Sequence, residues 1–89
     1  MQLIIATPKG SLEPIECDSV HLNISEDANG KNGGSYGIRK GHVNALFSLE
    51  KGNITALLSG KTIFSATTTN GFATVNNDVV TVVVEEFSE

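Results

Sequence analysis

The stretch that decides the fold is Asn70-Gly71-Phe72-Ala73-Thr74-Val75-Asn76-Asn77-Asp78-Val79-Val80-Thr81-Val82-Val83-Val84. Asn70-Gly71 starts a strand over Phe72 to Val75. Asn76-Asn77-Asp78 is a tight hairpin turn into a second strand, Val79–Val84. That second strand is apolar at both parities, which predicts a central strand covered on both faces.

The same grammar runs outward from this hairpin. Residues 2–7 form a β-branched, apolar strand that Pro8-Lys9-Gly10 ends with a turn. Leu12 to Cys17 is a second strand, and Pro14 puts it at an edge or a bulge because proline donates no ladder hydrogen bond. Val20, Leu22 and Ile24 alternate with His21 and Asn23, so this strand turns one face inward. Ser25 to Gly34 is the least apolar segment and holds two Asn-Gly pairs, the composition of a surface loop. Tyr36 to Ile38 and Val43 to Leu49 read as short strands around a Gly41 turn, followed by a turn at Lys51-Gly52-Asn53. Ile54, Ala56 and Leu58 point one way in the next strand, and Ser59-Gly60-Lys61 turns the chain into Thr62 to Thr67.

No segment has a helical period. Strands recur roughly every 8–12 residues with turn chemistry between them, the pattern of a sandwich or barrel. The expected class is all-β: a flattened β-sandwich or barrel of about eight to ten short, mostly antiparallel strands.

Size and charge bound the function. Eighty-nine residues make one domain, 1–89. A chain this short buries roughly 60–65% of its unfolded surface, so a partner surface would add stability. The net charge is −4, and the six cationic residues form no basic stripe in the sequence, which excludes nucleic acid as a natural partner. The acidic end, Glu85-Glu86-Phe87-Ser88-Glu89, reads as solvated. Cys17 is the single cysteine, so no internal disulfide forms and a cytosolic address is favoured. Met1 leads directly into Leu3-Ile4-Ile5, so no signal peptide is expected. The most apolar window, Val79–Val84, is too short to span a bilayer, so any membrane association comes through a partner. The two glycosylation sequons, at Asn23 and Asn53, are then chance matches.

Catalytic and metal chemistry find little support. Two histidines and one cysteine without paired spacing do not make a zinc site. No Gly-x-Ser-x-Gly elbow exists, and Gly33, Gly34 and Gly37 lack the helix and the Lys-Ser/Thr pair of a phosphate loop. Glu26, Asp27 and Asn29 lack the alternation and closing glutamate of a calcium loop. No cofactor is expected. Cys17 reads as a small apolar residue near a strand end, His21 as a polar-face residue, and Phe64, Phe72 and Phe87 as core. His42 is either a titratable interface residue or a turn histidine bonded to backbone. Tyr36 and Phe47 are either interface anchors or core.

One segment is not explained by strand-making: Gly34-Ser35-Tyr36-Gly37-Ile38-Arg39-Lys40-Gly41-His42. It is similar to the most characteristic stretch of the epsilon subunits of F-type ATP synthases (delta in mitochondria), a Gly-x-x-Gly, an apolar residue, then Pro-Gly-His. The resemblance runs through nearly the whole chain. Thr7-Pro8-Lys9-Gly10 resembles the family's opening strand and turn, and Asp18-Ser19-Val20 its third-strand start. Leu49-Glu50-Lys51-Gly52 resembles a Leu-x-Pro-Gly turn. Asn70–Val75 and Val79–Val82 resemble the closing Gly-Gly-Phe and Val-Thr-Val strands. The chain departs from the family at Ser35, where an acidic residue is frequent, at Arg39, usually apolar or aromatic, and at Lys40 and Lys51, usually proline. The family's C-terminal helical hairpin has no counterpart before Glu89, so its inhibitory and ATP-binding roles do not carry over.

The resemblance implies a non-catalytic coupler in the central stalk of a proton-driven ATP synthase. Such a subunit packs on the gamma shaft and rests on the membrane rotor ring, peripheral at the cytoplasmic face of a bacterial membrane. By position it implies rotor-ring contacts at Ser35, Tyr36, Arg39, Lys40 and His42, and gamma-subunit contacts at Thr7, His42 and Phe47. The two cations would meet acidic ring loops. A free-standing β-sandwich adaptor for another protein is the alternative. An enzyme is disfavoured because no convergent set of titratable residues is visible.

Overall fold

The computed structural model describes residues 1–24, 34–41 and 44–89. Its elements are β1 (Gln2–Thr7), β2 (Gly10–Ser11), β3 (Ile15–Glu16), β4 (Ser19–Ile24), β5 (Gly34–Arg39), β6 (Ala45–Leu49), β7 (Gly52–Leu58), β8 (Lys61–Thr68), β9 (Gly71–Asn76), β10 (Val79–Val84) and β11 (Phe87–Ser88). There is no helix among the described residues. The ladder runs β11-β8-β7-β4-β6-β9-β10-β1-β2, with β3 also on β1 and β5 also on β4. β4 pairs with β5 along its length but meets β6 only at Ile24↔Leu49. At that narrow junction the sheet doubles over into two layers, β5-β4-β7-β8-β11 and β6-β9-β10-β1.

The layers face each other through alternate residues, as the pleat requires. Leu3, Ile5, Ala73, Val75, Val80, Val82, Val84 and Leu49 from one layer pack with Val20, Leu22, Ile38, Ile54, Ala56 and Cys17 from the other side. Each fully buried Val, Leu or Ile contributes about 1.5–3 kcal/mol. Small residues at Ala56, Ala66 and Ala73 let the layers approach where they are all but fully buried.

The all-β architecture and the turns follow the sequence expectations. Asn77 and Asp78 both have positive φ, 50° and 63°, which is the two-residue hairpin geometry that matches strand twist. Pro14 does interrupt the second expected strand: of Leu12–Cys17 only Ile15–Glu16 (β3) is strand, paired with β1 at those two residues, while β2 precedes it at Gly10–Ser11.

Three expectations need correction. β10 is central, between β9 and β1, yet only one face is covered. Val80, Val82 and Val84 are buried while Val79, Thr81 and Val83 stay half-exposed. A β-branched run does not reveal whether a second layer exists to cover it. Leu58 does not share the inward face of Ile54 and Ala56. Leu58 ends β7 opposite Lys61 and is 38% exposed, and the register shifts in the neighbouring β8, where Ile63 is the extra residue opposite the Ala56–Leu57 step. Phe72 is not core. It is 46% exposed, because Ala73 and Val75 take the inward parity of β9.

The C-terminal stretch keeps its glutamates exposed, as the sequence suggests, but its backbone is held. The Thr69 hydroxyl accepts the N–H groups of Glu85 (3.1 Å) and Glu86 (3.2 Å), and β11 pairs with β8 at Thr68 and Thr67. Phe87 thereby packs half-buried against the core, as does Phe64. The expected surface loop at 25–34 falls outside the described residues, except that Gly34 opens β5.

Candidate functional site

The outward face of the β6-β9-β10-β1 layer is built by parity. Residues that alternate with the core fall into cross-strand rows. One row is Leu46, Thr74, Thr81 and Ile4, and the next is Ser48, Phe72, Val83 and Ala6. Gln2, Val79 and Asn76 close the face at one end. No charged residue occupies any of these positions. Leu46 is 70% exposed, against 38–46% for Leu58, Ile63 and Phe72, and Phe72 stands two residues along the neighbouring strand. Uncharged sheet faces carrying large exposed apolar side chains mark binding surfaces.

Thr7, expected to face gamma, lies at the rim of this face. It lines a shallow groove with Pro8, Phe72 and Val83, and its hydroxyl donates to Gly10 O at 3.0 Å. Phe47, expected on the same side, turns inward. Its ring meets Tyr36 with centroids 4.9 Å apart and planes at 44°, closing the open edge between β5 and β6. The residue beside it, Leu46, takes the outward position. The sequence signal was available in retrospect: Ala45, Phe47 and Leu49 share one parity, which leaves Leu46 on the other.

Among the described residues, those expected at the rotor ring do not all lie together. Ser35 pairs with Asn23 near the start of β5, and its side chain lies outside the described part. Tyr36 points to the core side. Arg39, at the far end of the strand, is about 13 Å from Ser35 at the usual strand rise. Arg39 and Lys40 are exposed, and His42 falls outside the described residues.

Where Arg39 and Lys40 sit, one aspartate organises three segments. The Asp18 carbonyl accepts Lys40 N–H at 3.1 Å, its carboxylate accepts Ser59 N–H at 2.9 Å, and its own N–H donates to Leu57 O at 2.7 Å. Gly41 N–H donates to Asp78 Oδ1 at 2.7 Å, which fixes the same turn to the β9–β10 hairpin. The β7–β8 turn is thus tied, through Ser59, to the same Asp18 that holds the Lys40 turn. Sequence reasoning missed this grouping, since it depends on partners 37 and 41 residues apart.

The remaining candidates are quiet. His21 is exposed on the outer face of β4, its ring against Gly37 of β5. Cys17 is fully buried. Desolvation raises its thiol pKa, with the N-terminal ammonium opposing and Glu16 and Asp18 adding to the rise. Among the described residues no three His, Cys, Asp or Glu side chains group as a metal site. Nor is any helix among them long and apolar enough to cross a membrane.

A two-layer β domain with one open, uncharged sheet face is the class that this geometry defines. A family model for the beta-sandwich domain of the ATP synthase delta/epsilon chain matches residues 1–89, and the chain belongs to that family. No curated protein matches it. Among solved structures it resembles a chain in the central stalk/c-ring of the Tetrahymena thermophila mitochondrial ATP synthase, with 14% identity and a TM-score of 0.75. That match covers 100% of this chain and 66% of that one. It also resembles a chain in the OSCP/F1/c-ring structure of the Euglena gracilis mitochondrial ATP synthase, with 22% identity and a TM-score of 0.74, covering 96% of this chain and 50% of that one. The chain thus spans less than two thirds of either neighbour. At these identities the likeness establishes the fold.

Proposed function

We propose that the chain is a central-stalk subunit of a rotary ATP synthase, a non-catalytic coupler between the gamma shaft and the membrane rotor ring. The observation that carries this reading is the uncharged outer face of β6-β9-β10-β1, with Leu46 and Phe72 standing out of it. A stalk subunit must adhere to a shaft over a broad surface, and an open β face whose residues are apolar or hydroxyl-bearing meets that need. The double-layered sheet supplies the stiffness for torque to pass. The exposed Arg39 and Lys40, at the end of β5, suit contact with acidic ring loops. The subunit would sit peripherally at the cytoplasmic face of a bacterial membrane and serve proton-driven ATP synthesis. Family membership and the stalk assemblies among the structural neighbours support the reading.

Isothermal titration against purified gamma subunit of the source organism tests it. Saturable one-to-one binding is expected, lost in Phe72→Asp and Leu46→Asp while circular dichroism and Tm stay unchanged. Absence of binding at about 10 µM and above, a weak-affinity regime, overturns it.

A further inference from the structure

We infer that the outer face of β6-β9-β10-β1 is self-complementary, and that the free chain pairs through it with a second copy of itself in a two-fold dimer. The face is uneven across its strands. Its β6-β9 half stands proud, with Leu46 70% and Phe72 46% exposed. Its β10-β1 half lies low: Ile4, Ala6, Thr81 and Val83 are half-buried, and Ala6 and Val83 help line the shallow groove beside Phe72. A two-fold axis parallel to the strands, running between β9 and β10, lays the high half of each copy on the low half of the other. The rows fix what then meets. Leu46 and Ile4 are the two ends of one row, so Leu46 faces Ile4 of the second copy. Phe72 and Val83 sit astride the axis in the next row, so Phe72 faces Val83 of the second copy. Each contact occurs twice, as an isologous interface requires. Two sheets laid face to face with nearly aligned strands pack as the layers of a sandwich do.

Charge and area fit a second copy. The chain has net charge −4, so two copies repel wherever their acidic groups face each other. This face holds no charged position, and copies that meet on it bring no like charges into opposition. Its four strands are five or six residues long. At about 4.8 Å between strands and about 3.3 Å per residue they make a face of about 20 by 20 Å. Two such faces bury roughly 1,000 Å² together once side-chain relief is counted, the low end for specific association and the range of transient complexes. The dimer is therefore weak and concentration-dependent. The inference does not rest on the stalk reading, but that reading assigns the same face to gamma. The two partners then exclude each other, and the dimer is the form that keeps the apolar face covered until gamma displaces one copy.

The test is sedimentation equilibrium of the chain from about 10 µM to about 1 mM, the range of weak association. Wild type should pass reversibly from monomer to dimer across it; wild type that stays monomeric throughout overturns the inference. Leu46→Asp and Ile4→Lys, each checked by circular dichroism and Tm against the parent, should each stay monomeric, because a charge then meets an apolar side chain. Mixed one to one they should dimerise again, since the Leu46→Asp carboxylate faces the Ile4→Lys ammonium. Thr81→Glu, beside the axis, should abolish the dimer independently by bringing two like charges together. Variants that dimerise as wild type does, or a folded mixture that stays monomeric, overturn the inference. Gamma added to the wild-type dimer should yield a one-to-one complex. A gamma complex that retains both copies overturns the shared face and the inference with it. A dimer that forms as expected and ignores gamma leaves the inference standing and overturns the stalk reading.

Discussion

The Gly41 amide and the Asp78 carboxylate meet at 2.7 Å, joining the turn after β5 to the β9–β10 hairpin across the end of the sandwich. Gly41 sits at φ +85°, a backbone conformation that points its N–H at Asp78 and that other residues adopt only with strain. Asp78→Gly keeps the left-handed turn and removes the acceptor. It should destabilise the chain by about 1 kcal/mol and speed hydrogen exchange at Gly41. Asp78→Asn retains an acceptor and tolerates positive φ, so it should stay within about 0.5 kcal/mol of the parent. Urea titration with amide exchange reads both; equal Gly41 protection in all three proteins would show that the bond is not what holds the turn.

Tyr36 and Phe47 belong to the packing of the sheet edge. Phe47→Ala should therefore lower stability by about 2 kcal/mol, less than the full cost for a wholly buried ring. A double-mutant cycle with Tyr36→Ala should return a coupling of about 0.5–1.5 kcal/mol. A Phe47→Ala protein of parental stability that loses partner binding would restore the interface role.

Two glycines that look alike in sequence should respond differently. A Cβ on Gly71 would overlap the Val83 carbonyl and crowd Val84, and backbone cannot step aside. Gly71→Ala should destabilise by about 3 kcal/mol, the upper part of the overpacking range. A Cβ on Gly52 would overlap the end of the Asn23 side chain, which can rotate away. Gly52→Ala should cost about 1 kcal/mol, reduced further in combination with Asn23→Ala. Thermal unfolding of the four proteins decides the order.

Burial pushes the Cys17 thiol above its ordinary value of about 8.5. The unfolded chain then deprotonates first as pH rises. Above about pH 8.5 the native state holds more protons than the unfolded state, so stability falls with pH, by at most about 1.4 kcal/mol per pH unit, until the folded thiol also ionises. Below that window the group exerts no pH dependence. Cys17→Ala should remove this alkaline component, and the native thiol should react slowly with Ellman's reagent. A pH profile that is identical in the variant would contradict the assignment.

Much of the framework was legible in the residues. The Asn77-Asp78 turn, the edge position announced by Pro14 and the inward set Val20, Leu22, Ile54 and Ala56 all follow from local rules. Turn residues carry their own backbone preferences, and a strand alternates its faces wherever it ends up.

What local rules could not supply is which distant strands become neighbours. The parallel register of β1 on β10 joins the two ends of the chain. The Asp18–Ser59 bond ties the β7–β8 turn to the start of β4, and the extra residue Ile63 shifts the register of that hairpin. Whether β10 is covered once or twice depends on layers that the strand does not encode, and with them goes the outward placement of Phe72 and Leu46. The sequence by itself determined an all-β chain, its turns and the family that these features match. Only the tertiary structure decided which faces remain open, because face exposure is a property of the assembled layers and not of any single strand.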